Sequence, residues 1–387
     1  MISAAAFELL ASNGVDGLAL TKVAAAAGLS TGPLYNRYDS GEDIALELWE
    51  ESIRDHGARM IGDLATYLFS PEGELSEFLD EELLEFSSAT IAYSEMMAVA
   101  RRFPLLIDPL RDELERQIGI LADSAPNLPM SIVAVPISLL LGLPAVRDVH
   151  PPCRIRWRDV LAIAKSIIAE RETWDLPARA SQIPTYEPVR PRTGDETLDV
   201  FVAAVMDVVS KVGYERTSAH RVARSAGRSF SSAYSHIGSK HELMIYALTA
   251  TIEQTMTVGG ADYLVESRDG YIDRMSSMWN LLVTDQARSM RHLRIETVLA
   301  ANHHPDLREA MRSKIARDLA ELPIRLGRDL DDDKIDRANT LWCMIRALGT
   351  GQIVIINTTP ILNDINWTSY SAAGRRLVEL LFLEHLT

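Results

Sequence analysis

Apolar residues at Ile2, Ala5, Ala6, Leu9 and Leu10 follow the i, i+3, i+4, i+7, i+8 spacing of one helix face. They predict a first helix over residues 1–11, ended by Asn13-Gly14. Phe201, Ala204, Val205, Val208 and Val209 repeat that spacing. Residues 2–44 align with 201–243 without a gap. Identities fall at Ala4/Ala203, Ala5/Ala204, Gly14/Gly213, Val23/Val222, Ala24/Ala223, Ala27/Ala226, Gly28/Gly227, Ser30/Ser229, Tyr35/Tyr234 and Ser40/Ser239. Within the first copy Thr21 reads as the N-cap of a short helix through Ala27, and Gly28 ends it at a corner that favours positive φ. Ser30 then caps a third helix reaching Tyr38, with Pro33 in its first turn. Ser40 and Asp43 form a capping box for a fourth helix, echoed by Ser239 and Glu242. Two short helices around a Gly corner are helix-turn-helix geometry.

The rest of the chain also reads as helix. From Ile44 to about Glu172 breaks are expected at Ser70–Gly73, Phe103-Pro104, Ala125–Pro129, Leu143-Pro144 and Pro151-Pro152. In the second half they are expected at Gly259-Gly260, Asp269-Gly270, His303–Pro305, Gly327–Asp333 and Thr358–Asp364. Gln352–Asn357 is the nearest approach to a β-run, and it reads better as a buried helix end. Arg102-Phe103-Pro104 lines up with His303-His304-Pro305, and helices opened by Trp157 and Trp367 end the two halves. The repeat therefore spans a whole unit of about 180 residues, near the usual domain size. The segment 174–195 carries Pro177, Pro184, Pro188 and Pro191 and reads as an extended linker. The expected division is 1–46, 47–173, the linker 174–195, 196–246 and 247–387.

Composition narrows the function. The 387 residues are 47% apolar, enough for large cores, and carry a net charge of −15. That balance weighs against a protein that coats nucleic acid, while leaving room for a local basic surface. Only Cys153 and Cys343 are present, without Cys/His ligand spacing, and His303-His304 reads as a helix boundary, so no metal and no cofactor is expected. No signal peptide is evident, and the apolar run Ile132–Val146, interrupted by Pro136 and Pro144, is short for a membrane span. A soluble, cytoplasmic protein without a membrane partner is expected. No GxSxG, HExxH or phosphate-binding Gly loop points to an enzyme.

Both motif regions resemble the DNA-binding domain of the tetracycline-repressor (TetR) family. The residues that carry the resemblance are Val23-Ala24, Ala27-Gly28, Ser30, Gly32-Pro33-Leu34-Tyr35, Tyr38, Ser40 and Asp43-Ile44 in the first copy. In the second they are Val222-Ala223, Ala226-Gly227, Ser229, Tyr234-Ser235-His236, Ser239-Lys240 and Glu242-Leu243. The resemblance implies an all-α chain of two tandem TetR-like units. Each would join a three-helix DNA-binding head to a helical ligand-binding and dimerisation-type body, and the two would pack as a pseudo-twofold pseudodimer. A homodimer of chains that uses mainly the second heads is the rival arrangement. The seam would use 158–170 and 368–386 with 132–143 and 334–356.

By the same resemblance, His220, Arg221, Arg224, Arg228, Ser229, Phe230, Ser231, Ser232, Tyr234, Ser235, His236 and Lys240 would meet DNA from the second head. Thr21, Lys22, Ser30, Thr31, Gly32, Tyr35, Asn36 and Arg37 would do so from the first. The partners implied are a double-stranded DNA operator and a small-molecule effector of unknown identity. Pocket candidates are Phe86, Tyr93, Met96, Met97 and Phe103 in the first body, and Met275, Met278, Trp279, His292, Glu296, Asn302 and Trp342 in the second. Charge separates the heads: residues 1–50 carry −5 and residues 196–250 carry +1. The expectation is a transcriptional regulator, a repressor released by its effector, with the second head better armed. The alternative is a helical ligand-binding or scaffold protein that has lost DNA binding in one or both heads.

Overall fold

The computed structural model describes residues 1–151, 157–170, 190–228, 239, 241–247, 250 and 267–385. Among them every regular element is helical and no strand occurs. The chain divides into two compact units that are not sequential. One holds Met1–Arg147, Ile155–Asp175 and Met344–Ala373; the other holds Asp148–Arg154, Leu176–Cys343 and Gly374–Thr387. The expected linker falls largely in 171–189, outside the described residues.

The first unit opens with α1 (Ile2–Asn13), ended by Gly14 at φ 65°. Then come α2 (Leu20–Ala26), α3 (Thr31–Tyr35) and α4 (Gly41–Leu48). Thr21 is not the cap of α2. The Ala19 carbonyl accepts from Lys22 and Val23 N–H, so the helix begins two residues earlier and Thr21 lies inside it. Ser30 occupies the N-cap position of α3, but its hydroxyl bonds no helix N–H, and α3 stops at Tyr35 rather than Tyr38. A turn carries the chain onward, with Arg37 N–H donating to Leu34 O at 3.0 Å and Tyr38 N–H to the same oxygen at 2.8 Å. The capping box at α4 is complete: Ser40 N–H donates to Asp43 Oδ2 and Glu42 N–H to Ser40 Oγ.

A single π-helical turn, Trp49–Ile53, leads from α4 into α5 (Arg54–Phe69). The body continues through α6 (Glu77–Leu84), α7 (Ser88–Val99), α8 (Pro104–Ser124), α9 (Met130–Val133), α10 (Val135–Val146) and α11 (Trp157–Ala169). The breaks near 70–73, 103 and 125–129 fall where expected. Leu143-Pro144 does not break the chain, because α10 runs through it with every residue buried. Packing on all sides outweighs the hydrogen bond that Pro144 removes. An unforeseen break at Glu85–Ser87 is explained by Ser87, whose hydroxyl caps α7 by accepting from Thr90 N–H.

Residues 344–373 complete this unit. The helix Asp332–Thr358 contributes its second half, so Gln352–Asn357 is helix and not strand. It crosses α10 with backbones nearly touching, at Gly142 against Ala347 and Gly351 against Ser138. Beyond the crossing, Arg111 Nε donates to Thr358 O at 3.1 Å.

The second unit has α12 (Glu196–Val212), capped by Asp195 and ended by Gly213 at φ 86°, then α13 (Ala219–Ser225). Residues 241–247 are helical. The body helices are Arg268–Leu282, Arg288–His303, Pro305–Ala320 and Leu322–Leu326, with the start of Asp332–Thr358 and the end of Thr368–Leu381. Asp269-Gly270 is no interruption: Ser267 caps that helix through Gly270 N–H, which puts both residues in its first turn. Gly259-Gly260 lies outside the described residues.

Candidate nucleic-acid interface

In the first head the apolar side chains turn inward and the predicted contacts turn outward. Leu20, Val23, Ala24 and Leu34 are buried. Thr21, Lys22, Ser30, Thr31, Gly32, Tyr35, Asn36 and Arg37 are all exposed, Tyr35 to 57%. The exposed Tyr35 ring offers a hydroxyl donor with little side-chain entropy to lose. The corner that sets the two helices is Gly28 at φ 68°, where Gly28 N–H donates to Ala25 O and Leu29 N–H to Ala24 O. A side chain would have room there, so the backbone conformation is what requires glycine.

Arg37 is committed elsewhere. Its Nη2 donates to Glu47 Oε1 at 2.7 Å, and its guanidinium lies over the Tyr38 ring at 5.1 Å. The buried Tyr38 hydroxyl reaches the same carboxylate oxygen at 3.0 Å. Burial first, then Glu47, push the Tyr38 phenol up to about 12. Glu47 comes from α4, so nothing in the local spacing of α3 announces this pair.

The second head repeats the corner. Gly227 has φ 62°, Gly227 N–H donates to Arg224 O at 3.1 Å, and Arg228 N–H donates to Ala223 O at 3.0 Å. Val222 and Ala223 are buried, while His220, Arg221, Arg224 and Arg228 are exposed. Arg221 Nη1 donates to the Arg216 carbonyl at 2.9 Å. Ser218, which the residue pattern did not single out, caps α13 by accepting from Arg221 N–H. Its signal was legible: a serine one position before a short helix. The predicted contacts Ser229, Phe230, Ser231, Ser232, Tyr234, Ser235, His236 and Lys240 lie outside the described residues.

Of the pocket candidates, Tyr93, Met96, Met97, Phe103, Trp279, Glu296 and Asn302 are buried, and Phe86, Met275, Met278, His292 and Trp342 are half-buried. Tyr93 packs on Trp49 with ring centroids 5.4 Å apart and fills the space beside Gly57. Its buried hydroxyl has no hydrogen-bond partner among the described residues. Burial, and secondarily Glu113, drive that phenol strongly upward, so it stays neutral. Among the described residues no group of three or more His, Cys, Asp or Glu is placed to hold a metal ion. No described helix is long and apolar enough to cross a membrane.

No curated protein matches the chain. Residues 2–48 match the family model for bacterial regulatory proteins of the tetR family, so the N-terminus carries a helix-turn-helix domain of the type found in that family.

Proposed function

We propose that the chain is a transcriptional regulator with two tetR-type heads, a repressor that an effector bound in its bodies releases from an operator. One observation carries the DNA-binding part: a tetR-type head in which every contact predicted for that head, from Thr21 to Arg37, is exposed. What supports a second head is the agreement of the Gly28 and Gly227 corners in φ and in hydrogen bonding. What supports a duplicated unit working as an intrachain pseudodimer is that 344–373, from the second half, pack with 1–147. On this reading the chain acts in the cytoplasm, without cofactor, on a site that need not be a palindrome.

Phosphate contacts dominate such affinity and release counterions, so binding falls steeply with salt. The test is binding to the DNA upstream of the protein's own gene at about 50 and 200 mM salt, where six or more phosphate contacts predict a loss of about a thousandfold. The absence of salt-sensitive binding at the lower salt would leave the scaffold reading standing. Sizing at low concentration tests the pseudodimer: the chain should run near its monomer mass of 42.9 kDa.

A further inference from the structure

The joint between each head and its own body is built at matching sequence positions from different chemistry. In the first unit Arg102, at the turn before α8, donates from Nη1 to Asp16 Oδ2 at 2.6 Å, with the side chains 5% and 10% exposed. Beside it, Leu105 N–H reaches Glu42 Oε2 at 3.4 Å. This joint is a guanidinium–carboxylate pair.

In the second unit the aligned positions are Glu215 for Asp16, His241 for Glu42, His303-His304 for Arg102-Phe103, and Asp306 for Leu105. His304, the N-cap of the Pro305–Ala320 helix, points Nε2 at Glu215 Oε1. From the head, His241 places Nε2 3.3 Å from Asp306 Oδ2. Tyr214 ties the two together: its hydroxyl is 3.0 Å from His241 Nδ1, and its ring meets the His304 ring edge-on at 4.8 Å. The imidazole rings themselves are 6.0 Å apart. Both imidazole–carboxylate pairs bridge head to body, and each is an ion pair only while its ring is protonated.

We propose that this cluster is a proton-operated latch, which locks the second head to its body when His241 and His304 are charged and loosens it when they are neutral. The charged and titratable groups around the rings agree with that direction. His304 faces Glu215, Tyr214 and His241, and His241 faces Tyr214, Asp306 and His304. Arg308, one turn into the same helix, is occupied by the carbonyls of Ala301 and Asn302. Tyr214 does not compete for the proton. Burial, then Glu215 and Asp306, push its phenol up to about 12. The neutral hydroxyl can donate to Nδ1 of a neutral ring or accept from a protonated one, so the added proton breaks no contact. The pairs are partly exposed, so each is worth only severalfold, and about tenfold together.

Hydrogen exchange of the full chain between about pH 5.5 and 8, corrected for intrinsic rates, reads the latch directly. The amides of 213–217 should lose protection by about tenfold as pH rises through the histidine range, while those of 14–18 stay constant. His304→Arg, which sets a fixed positive charge against Glu215, should shrink the pH-dependent change. His241→Gln combined with His304→Gln should abolish it and leave the joint loose at every pH. A pH-independent joint in the natural chain overturns the latch, and so does a change that survives in the double variant. None of these readings uses DNA, so failure of the latch and failure of the regulator reading are separable.

Discussion

A methyl group placed on Gly142 would lie 1.8 Å from the carbonyl oxygen of Ala347. The obstacle is backbone, which has no rotamer to escape into, and Gly351 stands in the same relation to Ser138. The two helices can cross this closely only because both crossing points lack a Cβ. Gly142→Ala should therefore destabilise the protein by about 3 kcal/mol, the upper end of the usual overpacking cost. Gly119→Ala, at an exposed site on α8 with open space around it, should instead stabilise by about 0.5–1 kcal/mol. Urea unfolding of the two variants decides the matter. Equal effects would show that the crossing relaxes freely.

Arg102 and Asp16 form a nearly dry ion pair. Removing the guanidinium takes this contact from a buried carboxylate, so Arg102→Met should cost about 3–5 kcal/mol. Adding Asp16→Leu to that variant should recover much of the loss, because two apolar groups leave no buried charge behind. A double variant no better than the single would show that the arginine matters through its packing on Phe103, over whose ring it lies at 5.2 Å.

Glu47 holds Arg37 back from the exposed row of the first head. Glu47→Gln removes one negative charge and releases the guanidinium, so operator affinity should rise by about three- to tenfold at low salt and the salt slope should steepen by about one contact. Arg37→Ala should change affinity little. Arg224→Ala, on the more basic head, should weaken binding by about tenfold. A large loss from Arg37→Ala would mean that the arginine leaves Glu47 to reach the phosphate.

His56 supplies a pH test of opposite sign to the latch. Its ring is half-buried between α5 and α6–α7, with Nε2 2.8 Å from Thr90 Oγ1 and 3.5 Å from Glu82. Burial, the largest influence, lowers its pKa below the ordinary value despite Glu82. The unfolded chain therefore binds this proton first as pH falls below about 6.5, and the stabilisation contributed by the neutral ring shrinks by up to about 1.4 kcal/mol per pH unit. In His56→Gln, Thr90 keeps its bond to Glu82, so the variant leaves that hydroxyl satisfied. The stability difference between natural chain and variant should narrow from pH 7.5 to 5.5. A constant difference would show that folding leaves the proton affinity of His56 unchanged.

The heads were the most legible part of the sequence. Their corner depends on one glycine conformation and their fourth helix on a capping box, and both are local, written in residues three or four apart. The burial pattern of α1 and α2 follows from helical period alone. Thr21 lies inside α2 because the Ala19 carbonyl already accepts from Lys22 and Val23 N–H, and Ser30 holds the N-cap position without a hydroxyl bond because Pro33, at N3, has no N–H to donate. The second recognition segment, 229–238, lies outside the described residues, so its assignment still rests on the sequence.

What the sequence determined by itself was therefore the all-helical character, the two Gly-cornered motifs and their unequal charge, since each follows from short-range spacing and composition. Only the tertiary structure decided which cations are spent. Arg37 is paired to a carboxylate from the next helix, and Arg102 to one 86 residues away. It alone decided that α10 runs unbroken through Pro144 and that residues 344–373 belong with the first half. These outcomes depend on which surfaces meet and how closely, and side-chain pairing across long sequence separations leaves no periodic trace in the chain.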